Sequence, residues 1–286
     1  MLKKIVLFCF AILYFIQSQS QGLLAKPETD AAYFPQQASG YIAVIGAFET
    51  EVSLLKNKLS NRQEQLIQGI RFYTGTLNGQ QVVVSRVGIG KVNAAISTTL
   101  LLEHFRPKAV LFSGIAGAMN PDLQPGDIVV GKQIAYHDYG RMAPGGLQIW
   151  ATQNPFYFTA NPVFFNCDSL LLATASKAIQ QVKFNPINNY TPKIFFGTII
   201  TGDVFLADNS KNIQLRKEMH ADAVEMEGAA VAQVCYQEKV AFLIIRSLSD
   251  NANDSATLDF VKYGKMAAEN SAMLVMEILK QLPLNP

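Results

Sequence analysis

Cysteine and histidine are scarce in this chain, and neither is arranged to hold a metal. Cys9, Cys167 and Cys235 form no CxxC, and His104, His137 and His220 lack ligand spacing. No resident metal and no cofactor are expected, which sets aside zinc-dependent chemistry. Charge is sparse too: 16% of residues are charged and the net charge is +2. Without a basic cluster or basic–aromatic interleaving, nucleic acid is not an expected partner. Low charge also argues against disorder. The 286 residues suffice for one large domain with a full core. No repeat and no internal linker divide it.

The N-terminus is a separate object. Lys3 and Lys4 precede an apolar run from Ile5 to Ile16, and Ser18 and Ser20 lie in the polar stretch that follows. A bilayer span needs about 20 apolar residues, so this run is short for one. The order of basic, apolar and small residues is that of a secretory signal, with cleavage expected near Ser20. Residues 1–20 are therefore expected to be a signal peptide, 21–39 a linker containing Pro27 and Pro35, and 40–284 the folded domain. An exported location, periplasmic or secreted, follows. Cys9 lies too early for a lipoprotein cysteine. Cys235 falls in an expected buried helix, so no disulfide with Cys167 is expected.

Apolar runs and helical spacings alternate along the rest. Strands are expected at Tyr41–Gly46, Ala109–Ser113, Ile128–Tyr136, Ile194–Ile200, up to Glu225 and up to Ser249. Helices are expected at Glu49–Leu59, Lys91–Phe105, Asp168–Val182, Asn209–Met219, from Gly228, and from about Asp259 to Gln281. Asn78-Gly79 suits a type I′ turn and marks a hairpin within residues 66–86. The Gly-, Pro- and aromatic-rich stretch 138–165 reads as a long covering loop. Alternating elements with a hairpin predict a single-domain α/β fold, three layers α/β/α around a mixed central sheet.

Acids interrupt this apolar pattern at strand ends. Glu225 and Glu227 flank Met226 just before a small-residue helix, and the strand Phe242–Ser249 runs into Asp250. Residues two apart in a strand share a face. Buried carboxylates are costly, and an open α/β sheet places its ligand at the carboxyl ends of its strands. A solvated strand end would explain one such acid. It does not explain several in series. Glu49 reads as an ordinary first-turn helix acid. His137 and Asp138 read as structural or interface residues, and Asp203 as a turn closer.

Eight short motifs then fall in order: Ile45-Gly46-Ala47-x-Glu49-x-Glu51-Val52, Gly88-Ile89-Gly90-Lys91-Val92-Asn93, Gly114-x-Ala116-Gly117, Gly126-Asp127-Ile128, Tyr136-His137-Asp138, Thr201-Gly202-Asp203-x-Phe205, Val224-Glu225-Met226-Glu227 and Ser249-Asp250. In this set the chain resembles the methylthioadenosine/S-adenosylhomocysteine nucleosidases of the nucleoside phosphorylase superfamily. The resemblance implies hydrolysis of the N-ribosidic bond of a purine nucleoside. It implies that Asp250 protonates the purine at N7, that Glu51 deprotonates the attacking water, and that Glu227 grips the ribose hydroxyls and favours an oxocarbenium-like state. Met226 would line the ribose floor with Glu225 supporting it. Phe205 would stack on the base, with the Leu206 backbone at the base's edge. Phe260 would line the 5′ pocket. Ser249 would orient Asp250, and Arg246 would keep Glu51 ionised. Ala47 and Gly117 complete the substrate-binding set. Split carboxyl pKa values are the acid/base signature expected of such a site.

The chain departs from the family at Phe48, commonly methionine, at Val87, commonly serine, and in the loop 138–165. These leave the 5′ substituent open: methylthio, homocysteinyl, hydroxyl or larger. Two other readings stand beside hydrolysis. A phosphorylase would recruit phosphate with arginines, and Arg86 and Arg246 are present, but Glu49 and Glu51 repel an anion. A secreted nucleoside-binding or storage protein of this fold would not need Glu51, Glu227 and Asp250 together. The small-molecule partner is a purine nucleoside. A homodimer is expected from the apolar surface of Lys91–Phe105 and of the 138–165 loop.

Overall fold

Strand β1 (Ile42–Gly46), buried along its whole length, opens the domain, and helix α1 (Glu49–Asn57) follows it. Our computed structural model describes residues 38–283, Asn188 excepted. The expected signal peptide and nearly all of the expected linker lie outside them. Among the described residues no helix is long and apolar enough to cross a membrane.

Three antiparallel strands come next: β2 (Ser60–Ile67), β3 (Ile70–Leu77) and β4 (Gln80–Arg86). The β3–β4 turn is the Asn-Gly hairpin, with Asn78 at φ 50° and Gly79 at φ 83°, as a type I′ turn requires. Strand β2 was not foreseen. It reads SNRQEQLI and is exposed except at its end, so it carries no apolar alternation. Pairing with β3 alone makes it a strand.

Helix α2 (Lys91–Phe105), strand β5 (Ala109–Ala118) and strand β6 (Ile128–Tyr136) follow. The 138–165 stretch is not wholly irregular: it holds a hairpin, β7 (Gly140–Ala143) with β8 (Gly146–Ile149), and leads into β9 (Phe164–Asn166) on β6. Then come α3 (Ser169–Ala178), β10 (Ile194–Thr201), α4 (Asn209–Met219), β11 (Ala223–Glu225), α5 (Gly228–Gln237), β12 (Ala241–Asp250) and α6 (Ala256–Gln281).

The main sheet is mixed and runs β11-β10-β6-β12-β5-β1-β4-β3-β2. Strand β11 also pairs antiparallel with β5. That pairing closes β5, β12, β6, β10 and β11 into a ring, so one half of the sheet is rolled while the β1–β4 half stays open. Central strands such as β5 and β12 are buried almost throughout, which is why they read as continuous apolar runs. The carboxyl ends of β1, β4, β5, β10, β11 and β12 all carry the motifs named above. Cys167 and Cys235 are buried free thiols.

Candidate active site

Glu51 is placed by the start of α1. Its carboxylate reaches back to the N–H of Phe48 at 3.0 Å, the reciprocal half of a capping box. The same oxygen accepts the Ala47 N–H at 2.5 Å, and the other accepts the Ile115 N–H of β5 at 2.9 Å. Gly114 makes the approach possible: a Cβ there would stand 2.8 Å from Glu51 Oε1 and 2.9 Å from Arg246 Nη1. Burial pushes the Glu51 carboxyl above its ordinary pKa, opposed by the Arg246 charge and the three amides. The Ala47 amide is engaged by Glu51.

Arg246 is almost fully buried. Its Nη2 donates to Glu225 Oε2 at 2.7 Å, Nη1 donates to the Phe112 and Ile245 carbonyls, and the guanidinium lies 3.9 Å from the Phe112 ring centre. Its ion-pair partner is Glu225, and its charge also acts on Glu51, drawing that carboxyl's pKa down against burial. Glu225 also accepts the N–H groups of Glu227 at 3.1 Å and Gly228 at 2.7 Å and the Thr201 hydroxyl. With both oxygens engaged, Glu225 supports the β11–α5 corner rather than presenting a free carboxylate to substrate. A buried pair like this is held by its hydrogen bonds as much as by its charge.

The corner aims Glu227 the other way. It stands at the N-cap of α5, and its Oε1 accepts the Gly90 N–H at 2.8 Å. Gly90 has φ 88°, a conformation natural to glycine, and this turns its amide toward the carboxylate. Burial, with the Glu225 charge adding to it, raises the Glu227 carboxyl to about 8.

Asp250 is re-aimed by a bulge. The β12–β5 register shifts between Leu248 and Asp250, leaving Ser249 as the extra residue and Asp250 opposite Gly117. Ser249 Oγ donates to Asp250 Oδ2 at 2.7 Å, and the Ala252 N–H donates to Oδ1 at 2.8 Å. Gly117 leaves room for this carboxyl, because a Cβ there would stand 2.7 Å from Oδ1. Burial raises the Asp250 pKa, as an N7 proton donor needs. Burial raises all three carboxyls, Glu51, Glu227 and Asp250.

A narrow cleft joins Asp250 to Gly117, Phe205, Leu206, Val224, Glu225 and Met226. Phe260 lies between Phe205 and Phe48, with ring centres 6.1 Å from each, so the three rings form one wall. Every expected site residue therefore converges on one region. Sequence reasoning missed the amides of Phe48, Ile115 and Gly90, because backbone donors leave no residue signature. It also missed the Thr201 hydroxyl, which binds Glu225 and accepts the Ala229 N–H at 2.8 Å. No group of side chains suited to hold a metal ion occurs among the described residues.

Residues 41–280 match the model of the phosphorylase superfamily. The 5'-methylthioadenosine/S-adenosylhomocysteine nucleosidase of Psychromonas ingrahamii is 43% identical over 242 residues, 84% of this chain and 99% of that protein. The crystal structure of the corresponding nucleosidase from Colwellia psychrerythraea with adenine superposes at TM-score 0.76 and 38% identity, covering 87% of this chain and 98% of that one. The Neisseria meningitidis nucleosidase with methylthio-immucillin-A gives 0.75 and 34%, over 85% and 100%. This chain belongs to the methylthioadenosine/S-adenosylhomocysteine nucleosidase family of the phosphorylase superfamily.

Proposed function

We propose that the three buried carboxyls divide the work of hydrolysing an adenine nucleoside. The chain is an N-glycosyl hydrolase that releases adenine and a ribose derivative. In the proposed step, the water oxygen bonds to C1′, Glu51 takes a water proton, the C1′–N9 bond breaks, and the Asp250 proton goes to N7. Glu227 holds the ribose hydroxyls, and in its ionised form its charge favours the oxocarbenium-like state. Phe205 and Phe260 cover the base and the sugar's 5′ side, and Met226 forms the floor.

One observation carries water rather than phosphate as the nucleophile. The amides of Ala47, Phe48 and Ile115 all donate to the Glu51 carboxylate. Backbone amides at such strand and helix ends are where an anion would bind. Here a side-chain carboxylate holds them, and Arg246 is engaged by Glu225. The test is adenine release from methylthioadenosine in phosphate-free buffer, followed by addition of phosphate. Release without phosphate and no ribose 1-phosphate derivative on its addition are expected. No release without phosphate, or the phosphorylated sugar as main product, overturns the reading.

Two further elements belong to this proposal. A homodimer is supported by exposed Ile89 in the turn before α2, by exposed Val92 and Ile96 on α2, and by exposed Met142, Trp150, Phe156, Tyr157 and Phe158. Export is supported by the N-terminal basic and apolar segments.

A further inference from the structure

Helix α4 is polar along most of its length, and its buried residues are Asn212, Leu215 and Met219. That spacing traces one helical stripe. Leu215 and Met219 fill the stripe with apolar side chains, in a cluster that also holds Leu206, Val224 and Ala252. Asn212 interrupts it with an amide. A buried amide is retained where its hydrogen bonds are made. Asn212 Nδ2 donates to the Asn251 carbonyl at 2.9 Å and to the Ala118 carbonyl at 3.2 Å, with the Ala252 carbonyl at 3.4 Å. Three acceptors around one end of the side chain fix that end as the nitrogen.

Asn251 and Ala252 follow Asp250 directly. A trans peptide is planar, and its carbonyl and N–H point opposite ways. In the Asn251–Ala252 peptide the oxygen is held by Asn212, while the N–H donates to Asp250 Oδ1 at 2.8 Å. One rigid unit thus links a side chain of α4 to the acid at the end of β12. Ala252 also needs holding. It is fully buried at φ 47°, in the left-handed region, where the Cβ of an alanine is crowded by its own backbone. The Ala118 carbonyl belongs to the end of β5, next to Gly117, which makes room for the same carboxyl.

We propose that Asn212 is a positioning residue for the general acid: its amide holds the Asn251–Ala252 peptide so that the Ala252 N–H stays on Asp250. The inference rests on the hydrolase reading above, in which Asp250 gives its proton to N7. An N–H donated to a carboxylate favours the ionised form, so this contact and the Ser249 hydroxyl oppose the burial that raises the Asp250 pKa. The charged groups about Asp250 are Asp259 on α6, which adds to the rise, and Glu225 across the cleft on β11, itself paired with Arg246 of β12. Loss of the Ala252 N–H leaves Asp250 a weaker and less well aimed acid.

The experiment compares wild type, Asn212→Leu, and Asn212→Leu combined with Ala252→Gly, on methylthioadenosine across a range of pH. Leucine is close to asparagine in size and donates nothing. Asn212→Leu should lower kcat about tenfold, the scale of one hydrogen bond to a charged group. KM should stay near the wild-type value, because the acid acts in the transition state. The alkaline limb of kcat, where Asp250 loses its proton, should move to higher pH. Adding Ala252→Gly should recover both changes, since glycine takes the left-handed region without a clamp. Should Asn212→Leu fail to fold, Asn212→Ser, whose hydroxyl is too short to span the three carbonyls, takes its place with the same expectations. A limb that stays in place, or a loss that Ala252→Gly does not recover, overturns the positioning role and leaves the hydrolase reading intact. Wild type that releases no adenine overturns both.

Discussion

Asp138 receives the Lys91 ammonium on both its carboxylate oxygens, at 2.7 and 2.6 Å. The same carboxylate accepts the Asp203 N–H at 2.8 Å, and Asp203 Oδ1 accepts the Lys91 N–H at 2.8 Å. Three segments are thereby tied together: the turn after β4, the end of β6 and the loop after β10. The first holds Glu227 through Gly90, and the third carries Phe205 and Leu206. Asp138 and Asp203, read from sequence as structural, do position the site, without touching its chemistry.

If the pair aligns the ribose side with the base side, breaking it should loosen both. Asp138→Asn and Lys91→Met are each expected to lower kcat/KM about tenfold. The two side chains are mostly buried, each 21% exposed, so their interaction is only partly screened. The double variant should be little worse than either single one, with a coupling energy of about 1 kcal/mol or more. Additive losses would show that the two residues act separately.

Each catalytic carboxyl has a distinct expected signature. Asp250→Asn cannot protonate N7 and Glu51→Gln cannot take a proton from water. Each should lower turnover at least about 100-fold, the scale of a positioned acid or base. Glu227→Gln should reduce kcat more than it raises KM, because its charge serves the oxocarbenium-like state. Wild-type rates in all three variants would remove the site from this cleft.

Gly117→Ala tests the close approach that seats Asp250. Its Cβ would stand 2.7 Å from Asp250 Oδ1 and 2.8 Å from Ala252 Cβ. Overpacking of this kind costs about 1–3 kcal/mol. The denaturant midpoint should fall accordingly, and turnover should fall further than stability accounts for. A variant with wild-type midpoint and rate would show that Asp250 has room to spare.

Stability should depend on pH with a definite sign. Glu51, Asp250 and Glu227 all have folded-state pKa values above their ordinary ones, Glu227 at about 8. Between the unfolded and folded values the native state keeps protons that the unfolded chain releases. The stability these three groups contribute is therefore fully present below about pH 4 and declines as pH rises through about 8. Thermal unfolding of wild type relative to Glu227→Gln should show a Tm difference that falls as pH rises toward 8 and beyond. A wild-type-minus-variant difference that rises over the interval contradicts the raised Glu227 value.

Assembly and export are checked on the protein as it is made. Sedimentation at micromolar concentration is expected to show a dimer, and Val92→Asp with Ile96→Asp is expected to shift it toward monomer. Protein from its native host is expected to begin near residue 21. Monomer alone, or a chain that starts at Met1, would sink the corresponding proposal.

Much of this architecture was legible because local chemistry and tertiary role coincide. Asn78-Gly79 makes its turn whatever surrounds it, and β12 opens on an apolar run, Ala241–Ile245, because it lies between two covered faces. Glu227 and Asp250 stood out because an acid that interrupts an apolar strand is hard to explain without a task, whereas Glu51 was marked by the family resemblance. Strand β2 was invisible for the converse reason: its polar residues become a strand only against β3. The hairpin β7–β8 was likewise hidden in a loop composition.

By itself the sequence determined the order of elements, the mixed sheet and the identity of the acids at its strand ends. Those follow from periodicity and from the cost of burying charge, which act residue by residue. Tertiary structure decided which carboxyl does what. Glu225 and Glu227 are two residues apart with similar local surroundings in the chain, yet Arg246 and Thr201 engage the first while Gly90 meets the second. The closure of β11 on β5, the bulge at Ser249 and the amides gathered on Glu51 likewise join residues far apart in sequence. Hydrogen-bond partners and burial are set by that convergence in space, and no local pattern encodes them.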